Sequence, residues 1–243
     1  MNLILLKPAD WINDETVVLD DRRQQHLVAV LKSQPGQVLR VGALGGQRGS
    51  GTILAIDDKT VRIHVQLTLA ALQRHPFDLI LALPRPKMLR RVFRTASEMG
   101  VAHLHLIHSA RVEKSYWQSP LLKADRIAAA LEAGLERAGD TLLPEVHLHR
   151  RFRPFIEDIL PTLAQNRPCW IADRNATAAL RDEAKAGLVL LGPEGGFIPF
   201  EIELAESVGG NFTTGQVLRP YHFNKILALA ENTPDALTVN EAV

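Results

Sequence analysis

The residues best suited to chemistry stand in a glycine-rich segment, Leu191-Gly192-Pro193-Glu194-Gly195-Gly196-Phe197, between an apolar strand pattern and a helix pattern. Glycines there allow positive φ and close approach of a ligand to the backbone, and free N–H groups at a helix start suit a polar or anionic group. The segment has neither the Gly-Lys-Ser/Thr of a Walker loop nor the glycine spacing of a dinucleotide fingerprint. Two interpretations remain open at this point, a ligand-binding loop and an ordinary turn.

A second candidate is a basic helical segment that begins near residue 85. Its apolar residues recur at helical spacing and predict one buried face, which leaves the basic residues mainly on the outer face. The cations are Arg85, Lys87, Arg90, Arg91 and Arg94, with no acid among them. This pattern indicates a phosphate-contacting surface for nucleic acid, and the alternative is a solvated helix face without a partner.

Two pairs of histidines, His103 with His105 and His147 with His149, each share one face of a predicted strand. We expect no metal at them, because no cysteine or carboxylate with ligand spacing accompanies them. Cys169 lies in an apolar strand pattern and is expected to be a small buried residue, not a nucleophile.

Composition excludes several classes of protein. The 243 residues are 46% hydrophobic and 23% charged, as in a globular chain and unlike a disordered or fibrous one. A single cysteine excludes an internal disulfide framework, and the net charge of +1 gives no indication of a polyanionic partner. No apolar stretch approaches the roughly 20 residues of a membrane helix. The first residues lack a basic n-region and a cleavage site, so we expect a cytoplasmic protein with no membrane partner.

The chain divides into two patterns. Up to about residue 72, short strand-like segments alternate with turn signals and one helical segment, Arg22 to Lys32, which predicts a small β-barrel. From residue 73 strand patterns alternate with helix patterns, and apolar runs such as 77–83 are typical of strands buried on both faces. The second part is therefore predicted to be an α/β domain with a mostly parallel sheet covered on both sides.

The order of motifs in the second part resembles that of a known family. The glycine-rich segment, followed by an acidic helix and by Thr214-Gly215-Gln216-Val217-Leu218-Arg219, resembles the RsmE family. Three upstream segments also resemble motifs of that family: Ser97-Glu98-Met99-Gly100-Val101, Ser109-Ala110-Arg111 and Leu143-Pro144-Glu145-Val146. Members of the family are S-adenosylmethionine-dependent methyltransferases of the SPOUT class that act on uracil N3 of 16S ribosomal RNA. The resemblance extends from near residue 1 to Arg219.

The resemblance implies a two-domain organisation, with residues 1–72 as a PUA-like RNA-binding β-barrel and residues 73–243 as an α/β SPOUT domain with a trefoil knot. It also implies a homodimer, S-adenosylmethionine as cofactor, and 16S rRNA or the small ribosomal subunit as partner. Arg111 matches an arginine near the RNA or the active site, where it would stabilise negative charge on the base. Glu194 is a candidate general base, with a structural role as the alternative. The positions that match cofactor loops are Leu191, Gly192, Glu194, Gly195, Gly196, Gly215, Val217, Leu218 and Arg219.

The sequence departs from the family pattern at two places. Asp140 stands where the family commonly has an arginine. After Arg219, the family's Leu-Arg-x-Glu-Thr-Ala segment is replaced by Pro220-Tyr221-His222-Phe223-Asn224-Lys225. Two alternatives therefore stay open, a divergent member that acts on another RNA position and an RNA-binding protein without catalysis.

Overall fold

The computed structural model describes residues 2–165, 167–172 and 187–208, and it gives residues 211–215 as backbone alone. Two compact units are formed. The first comprises the described residues up to Gln73, with Phe93–Gly100 and Ile127–Leu143. The second comprises Arg74–Val92, Val101–Arg126 and the described residues from Pro144 onward. No helix in the described part of the chain is long and apolar enough to cross a membrane.

The first unit is built on a six-stranded sheet. Its strands are β1 (Ile4–Leu6), β2 (Trp11–Asn13), β3 (Thr16–Leu19), β4 (Val38–Ala43), β5 (Arg48–Ile56) and β6 (Val61–Leu69). Their order is β1-β4-β5-β6-β3-β2, with β1 and β4 parallel and the other neighbours antiparallel. Alternate side chains of β3 and β6 point to one face, where Val17, Leu19, Val61 and Ile63 are fully buried. The strands predicted for this segment are present, although β5 and β6 are long, with nine residues each.

A buried arginine fixes the helical segment that follows β3. Helix α1 (Arg22–Gln25) continues as a π-helical turn, His26–Val30. Arg23 donates from Nη1 and Nη2 to the Asp10 carboxylate, at 2.6 and 2.7 Å, and from Nε to Asp21 at 2.9 Å. Because the guanidinium is buried and paired with two carboxylates, it holds the start of α1 against the loop after β1.

The second unit is built on a parallel sheet. Its strands are β7 (Phe77–Ala82), β8 (His103–Ile107), β9 (Glu145–His149), β10 (Pro168–Ala172), β11 (Gly187–Leu191) and β12 (Asn211–Gly215). Their order is β12-β10-β11-β7-β8-β9, and all neighbours are parallel. Every residue of β7 and β11 is buried, as predicted for strands covered on both faces.

Helices connect the strands of the parallel sheet. The two long ones are α2 (Pro86–Glu98) and α3 (Ala124–Ala138). Three shorter ones follow, α4 (Phe152–Pro154), α5 (Leu160–Leu163) and α6 (Pro199–Ser207), with a π-helical turn, Phe155–Ile159, between α4 and α5. The alternation of strands and helices confirms the mixed α/β class and the parallel sheet expected from the sequence.

Candidate active site

The candidate site lies where the parallel strands β11, β7 and β8 end. Strand β11 pairs with β7 so that Leu191 is opposite Leu81, and β7 pairs with β8 so that Leu81 is opposite Leu106. Strand β8 follows β7 on one side, whereas β12 follows β11 and lies towards the other edge of the sheet. Connections that diverge in this way at adjacent strand ends open a crevice, which is where ligands bind in parallel α/β sheets.

The glycine-rich segment forms a tight turn at the carboxyl ends of these strands. Gly192 follows the last residue of β11, and the N–H of Gly196 donates to the carbonyl of Pro193 at 2.7 Å. Gly196 has φ of +76°, a conformation that favours glycine. Phe197 after the turn is buried, with its ring centroid 6.2 Å from that of Phe152. The glycines of the turn therefore present backbone groups beside an apolar support.

Arg111 reaches across from the loop after β8 to this turn. Its Nη1 donates to the carbonyl of Gly195 and lies 3.4 Å from the carbonyl oxygen of Gly196. A Cβ on residue 195 would lie 3.0 Å from Cδ of Arg111, so a side chain there would require the arginine side chain to shift slightly. The structure thus brings Arg111 together with two of the predicted cofactor residues, and the guanidinium is exposed at the mouth of the crevice.

Glu201 ties the same two loops together, and sequence reasoning missed it. Its Oε1 accepts from the N–H of Ala110 at 2.7 Å and its Oε2 accepts from the N–H of Ile198 at 3.0 Å. The side chain is 3% exposed and stands at the third position of α6, after Pro199 at the first. Proline at the first position and glutamate at the third are a helix-start signal, which could have identified Glu201 as a cap. Its link to the Arg111 loop could not have been read from that signal.

Arg85 and Glu194 face each other at the rim of the site. Nε of Arg85 lies 3.4 Å from Oε1 of Glu194, and the two side chains are 55% and 58% exposed. An exposed pair of this kind contributes about 0 to 1 kcal/mol. Glu194, the candidate base, is therefore at the solvent-exposed side of the crevice. It lies beside Arg85, which the sequence analysis assigned to the basic helical segment.

The remaining predicted RNA-binding residues lie on α2. Lys87, Arg90 and Arg91 are exposed, whereas Leu89, Phe93 and Ala96 are buried, as the amphipathic pattern predicted. Arg94 differs from the others, because it is half-buried and its Nε is enclosed without a hydrogen-bond partner among the described residues. We use the name basic surface for Arg85, Lys87, Arg90 and Arg91.

The last predicted cofactor loop is placed only in part. Gly215 ends β12 and is opposite Ala172 of β10, which in turn is opposite Leu191. Gly215 therefore lies at the same edge of the sheet as the glycine-rich turn. Val217, Leu218 and Arg219 fall outside the described residues.

Burial shifts the pKa values of Cys169 and His105, which lie on strands of the parallel sheet. Cys169 is fully buried, as predicted, and desolvation raises the pKa of its thiol to about 11, so the thiol is protonated at neutral pH. Burial and the neighbouring imidazoles lower the pKa of His105 to about 3, so this ring is neutral. Neither group is poised for nucleophilic or acid–base work at neutral pH.

The chain is similar to a family of RNA methyltransferases and to individual proteins of known name. A family model described as the RNA methyltransferase domain matches residues 72–216. Ribosomal RNA small subunit methyltransferase E of Treponema pallidum (strain Nichols) is 29% identical over 216 residues, which cover 86% of this chain and 81% of that protein. Ribosomal RNA small subunit methyltransferase E 1 of Borreliella burgdorferi is 22% identical over 206 residues, which cover 84% and 85%.

A solved structure shares the fold. The crystal structure of a ribosomal RNA small subunit methyltransferase E from Neisseria gonorrhoeae, bound to S-adenosyl methionine, matches with a TM-score of 0.67. The match covers 89% of each chain at 18% identity.

Proposed function

This chain belongs to the RNA methyltransferase domain family, and we propose that it transfers the methyl group of S-adenosylmethionine to N3 of a uridine in 16S ribosomal RNA. One observation carries the proposal: Arg111 is seated on the carbonyls of the glycine-rich turn at the crevice between β11 and β7. This arrangement places a cation beside a turn suited to a nucleoside cofactor. The motif resemblance to the RsmE family is confirmed, since two relatives carry the name ribosomal RNA small subunit methyltransferase E.

The residues of the turn fit S-adenosylmethionine. A nucleoside is held by apolar surface together with a few backbone donors and acceptors. Gly192, Gly195 and Gly196 leave backbone groups of the turn uncovered, and Leu191 and Phe197 beside it are 9% and 8% exposed. Leu191, Gly192, Glu194, Gly195 and Gly196 would hold the cofactor in this proposal, with Gly215 at the same edge and Val217, Leu218 and Arg219 following it. When bound, S-adenosylmethionine supplies a methyl group activated on a sulfonium.

Arg111 supplies the electrostatic part of the mechanism. Uracil N3 must lose its proton before or during attack, which spreads negative charge over N3 and the flanking carbonyl oxygens. A fixed cation directed at that charge stabilises the transition state without reorganisation. Only Nη1 of Arg111 has a hydrogen-bond partner among the described residues, so Nη2 and Nε are left to face the base. Positioning and charge stabilisation are then the tasks of the protein.

Glu194 is the candidate for the proton acceptor. Its carboxylate lies at the rim of the crevice, where the base would enter, and it pairs with Arg85 across 3.4 Å. The exposed position lets an accepted proton pass to solvent. The alternative is a structural role, in which the pair with Arg85 orders the turn for the cofactor.

The function is tested by methyl transfer to defined RNA. Purified protein and labelled S-adenosylmethionine are incubated with small ribosomal subunits from cells that lack the enzyme, and the RNA is digested to nucleosides. We expect label in 3-methyluridine, and no label with subunits that already carry the methyl group. A different labelled nucleoside would contradict the substrate position, and absence of S-adenosylmethionine binding in calorimetry would contradict an enzymatic function.

The basic surface is proposed to contact RNA phosphates. Arg90→Ala combined with Arg91→Ala should weaken RNA binding and reduce the magnitude of the slope of log K against log salt by roughly 1.4 to 1.8. The reason is that RNA binding releases fewer counterions when two phosphate contacts are lost. The measurement is RNA affinity at several salt concentrations. Lys123→Ala combined with Arg126→Ala removes two exposed cations elsewhere and serves as control. Equal slopes for both double variants would exclude direct phosphate contacts by α2.

The finer architecture belongs to the same proposal. We include a PUA-like closure of the sheet in residues 1–72, a trefoil knot within residues 73–243, a homodimer and a cytoplasmic location. The six-stranded sheet supports the first of these, and the resemblance of the motifs to the RsmE family supports the knot. Light scattering of the purified protein tests the dimer.

One departure favours a second candidate, methylation of another RNA position. Asp140 stands where the family commonly has arginine, and its Oδ1 accepts from the N–H groups of Thr141 and Leu142 at 2.6 and 3.3 Å. The carboxylate is 3% exposed and thus shapes the loop after α3 instead of contacting RNA. Any RNA contact made by the family's arginine is absent at this position, which would alter the choice of nucleotide. The nucleoside analysis above separates the two candidates.

A further inference from the structure

Five side chains that the proposed methyl transfer does not use share one face of the parallel sheet at the edge strand β9. The register of β8 and β9 places His103 opposite Glu145, His105 opposite His147, and Ile107 opposite His149. Side chains alternate along a strand, so the residues of one face are two apart. We call this set the histidine face: His103, His105, Glu145, His147 and His149.

The outer three members have the spacing of metal ligands. Oε2 of Glu145 lies 3.6 Å from Nδ1 of His103 and 3.7 Å from Nε2 of His147. Both distances exceed that of a hydrogen bond, yet one oxygen is almost equally far from two imidazole nitrogens. Ligand atoms of the three residues lie within 4.8 Å of one another. With metal–ligand bonds of about 2.1 Å, ligands of a tetrahedral zinc ion lie roughly 3.4 Å apart, so small rotations of these side chains would complete the geometry.

The inner two members hold the outer ones in place. The ring of His105 stacks on that of His147, with centroids 4.5 Å apart and an interplanar angle of 16°. Nδ1 of His105 lies 3.1 Å from Nε2 of His149, and the ring of His149 packs on Phe155 at 4.6 Å. His105 is 4% exposed, so this layer is anchored in the interior of the unit. Such packing behind the ligands orients a metal site before the ion arrives.

Solvent reaches the outer three. The side chains of His103, His147 and Glu145 are 42%, 38% and 68% exposed, which leaves an entry path and room for water at the remaining positions. Two imidazoles and one carboxylate suit zinc and similar transition metals, whereas magnesium and calcium select oxygen ligands. The chemistry of the three donors therefore selects the class of ion.

We propose that His103, Glu145 and His147 form a binding site for one zinc-class divalent transition-metal ion, completed by water. The ion clamps the edge strand β9 to β8. The site departs from the expectation that no metal binds at these histidines. That expectation rested on the absence of a carboxylate with ligand spacing, and Glu145 is such a carboxylate, brought to His103 by strand register across 42 positions of sequence.

The test uses the full chain without an affinity tag, with zinc chloride as the titrant in calorimetry. We expect one equivalent of Zn²⁺ to bind with micromolar affinity and to raise the melting temperature, because the ion binds the folded state. His103→Ala, Glu145→Gln and His147→Ala should each weaken binding at least tenfold. His75→Ala removes a half-buried imidazole outside the histidine face and should leave the affinity unchanged.

A second readout protects the test against a variant that fails to fold. Cobalt bound by the unmodified chain should show visible ligand-field absorption, which zinc displaces. Glu145→Gln keeps the shape of the side chain and should retain the far-ultraviolet circular dichroism of the unmodified chain while losing this absorption. Equal zinc affinity in the unmodified chain and in the His103→Ala, His147→Ala double variant would overturn the proposal. Methyl transfer is measured separately, and its outcome does not depend on this site.

Discussion

Replacing Arg111 with alanine should lower kcat for methyl transfer by roughly 100- to 1,000-fold, the loss expected when one preorganised donor to developing negative charge is removed. The arginine is preorganised because the carbonyls of Gly195 and Gly196 accept from its Nη1, so its remaining N–H groups point from a fixed position. Arg111→Lys keeps the charge but loses the planar guanidinium, so its kcat should lie between those of the unmodified protein and Arg111→Ala. The measurement is kcat and KM for RNA and for S-adenosylmethionine at saturating cosubstrate.

A matched control separates this effect from a general loss of positive charge. Arg126 is an exposed arginine on α3 whose Nε lies 3.4 Å from the neighbouring Asp125 carboxylate, and Arg126→Ala should keep kcat within about twofold, as expected of a surface change away from the site. If Arg111→Ala raises only KM for S-adenosylmethionine and leaves kcat unchanged, the arginine orders the turn and does not stabilise charge on the base. That outcome would contradict the mechanism while leaving the cofactor site in place.

Patterns of burial made the second unit predictable. The largely apolar runs at 77–83 and 188–191 correspond to β7 and β11, which are buried at every residue, as is typical of parallel strands covered on both faces. The glycine-rich turn was placed correctly at the end of β11, since clustered glycines after an apolar run mark the end of a strand. Arg111 was singled out through the motif resemblance alone, as no local pattern distinguishes it from other exposed arginines.

The features that were not predicted from the sequence depend on contacts between residues far apart in the chain. Glu201 and Ala110 are 91 positions apart, and their hydrogen bond depends on the order of strands in the sheet. Glu145 meets His103 for the same reason. Arg94 was expected on an exposed helix face, but it is half-buried. Within the first unit, α3 approaches α2 so closely that a Cβ added at Gly134 would meet the carbonyl oxygen of Arg94. The spacing of apolar residues in α2 does not predict which of its other residues a second helix will cover.

Glu201→Ala should lower the free energy of unfolding by about 2 to 4 kcal/mol, because two partly buried N–H groups, those of Ala110 and Ile198, lose their acceptor together. For a chain of this size the melting temperature should fall by roughly 5 to 15 °C. Glu201→Gln retains one acceptor oxygen and should cost about half as much. Differential scanning calorimetry measures both variants.

Glu203 supplies the matched control, because it stands two positions further along α6, is exposed, and has no described partner. Glu203→Ala should change stability by no more than about 0.5 kcal/mol, as is usual for surface positions. At temperatures below their melting temperature, where they are folded, the same Glu201 variants should have a lower kcat than the unmodified protein. Ala110 precedes Arg111, so the loop anchored by Glu201 fixes the position of the guanidinium. A Glu201→Ala protein as stable as Glu203→Ala would show that the two N–H groups find water instead. Full activity in a destabilised Glu201→Ala protein would show that Gly195 and Gly196 alone position Arg111.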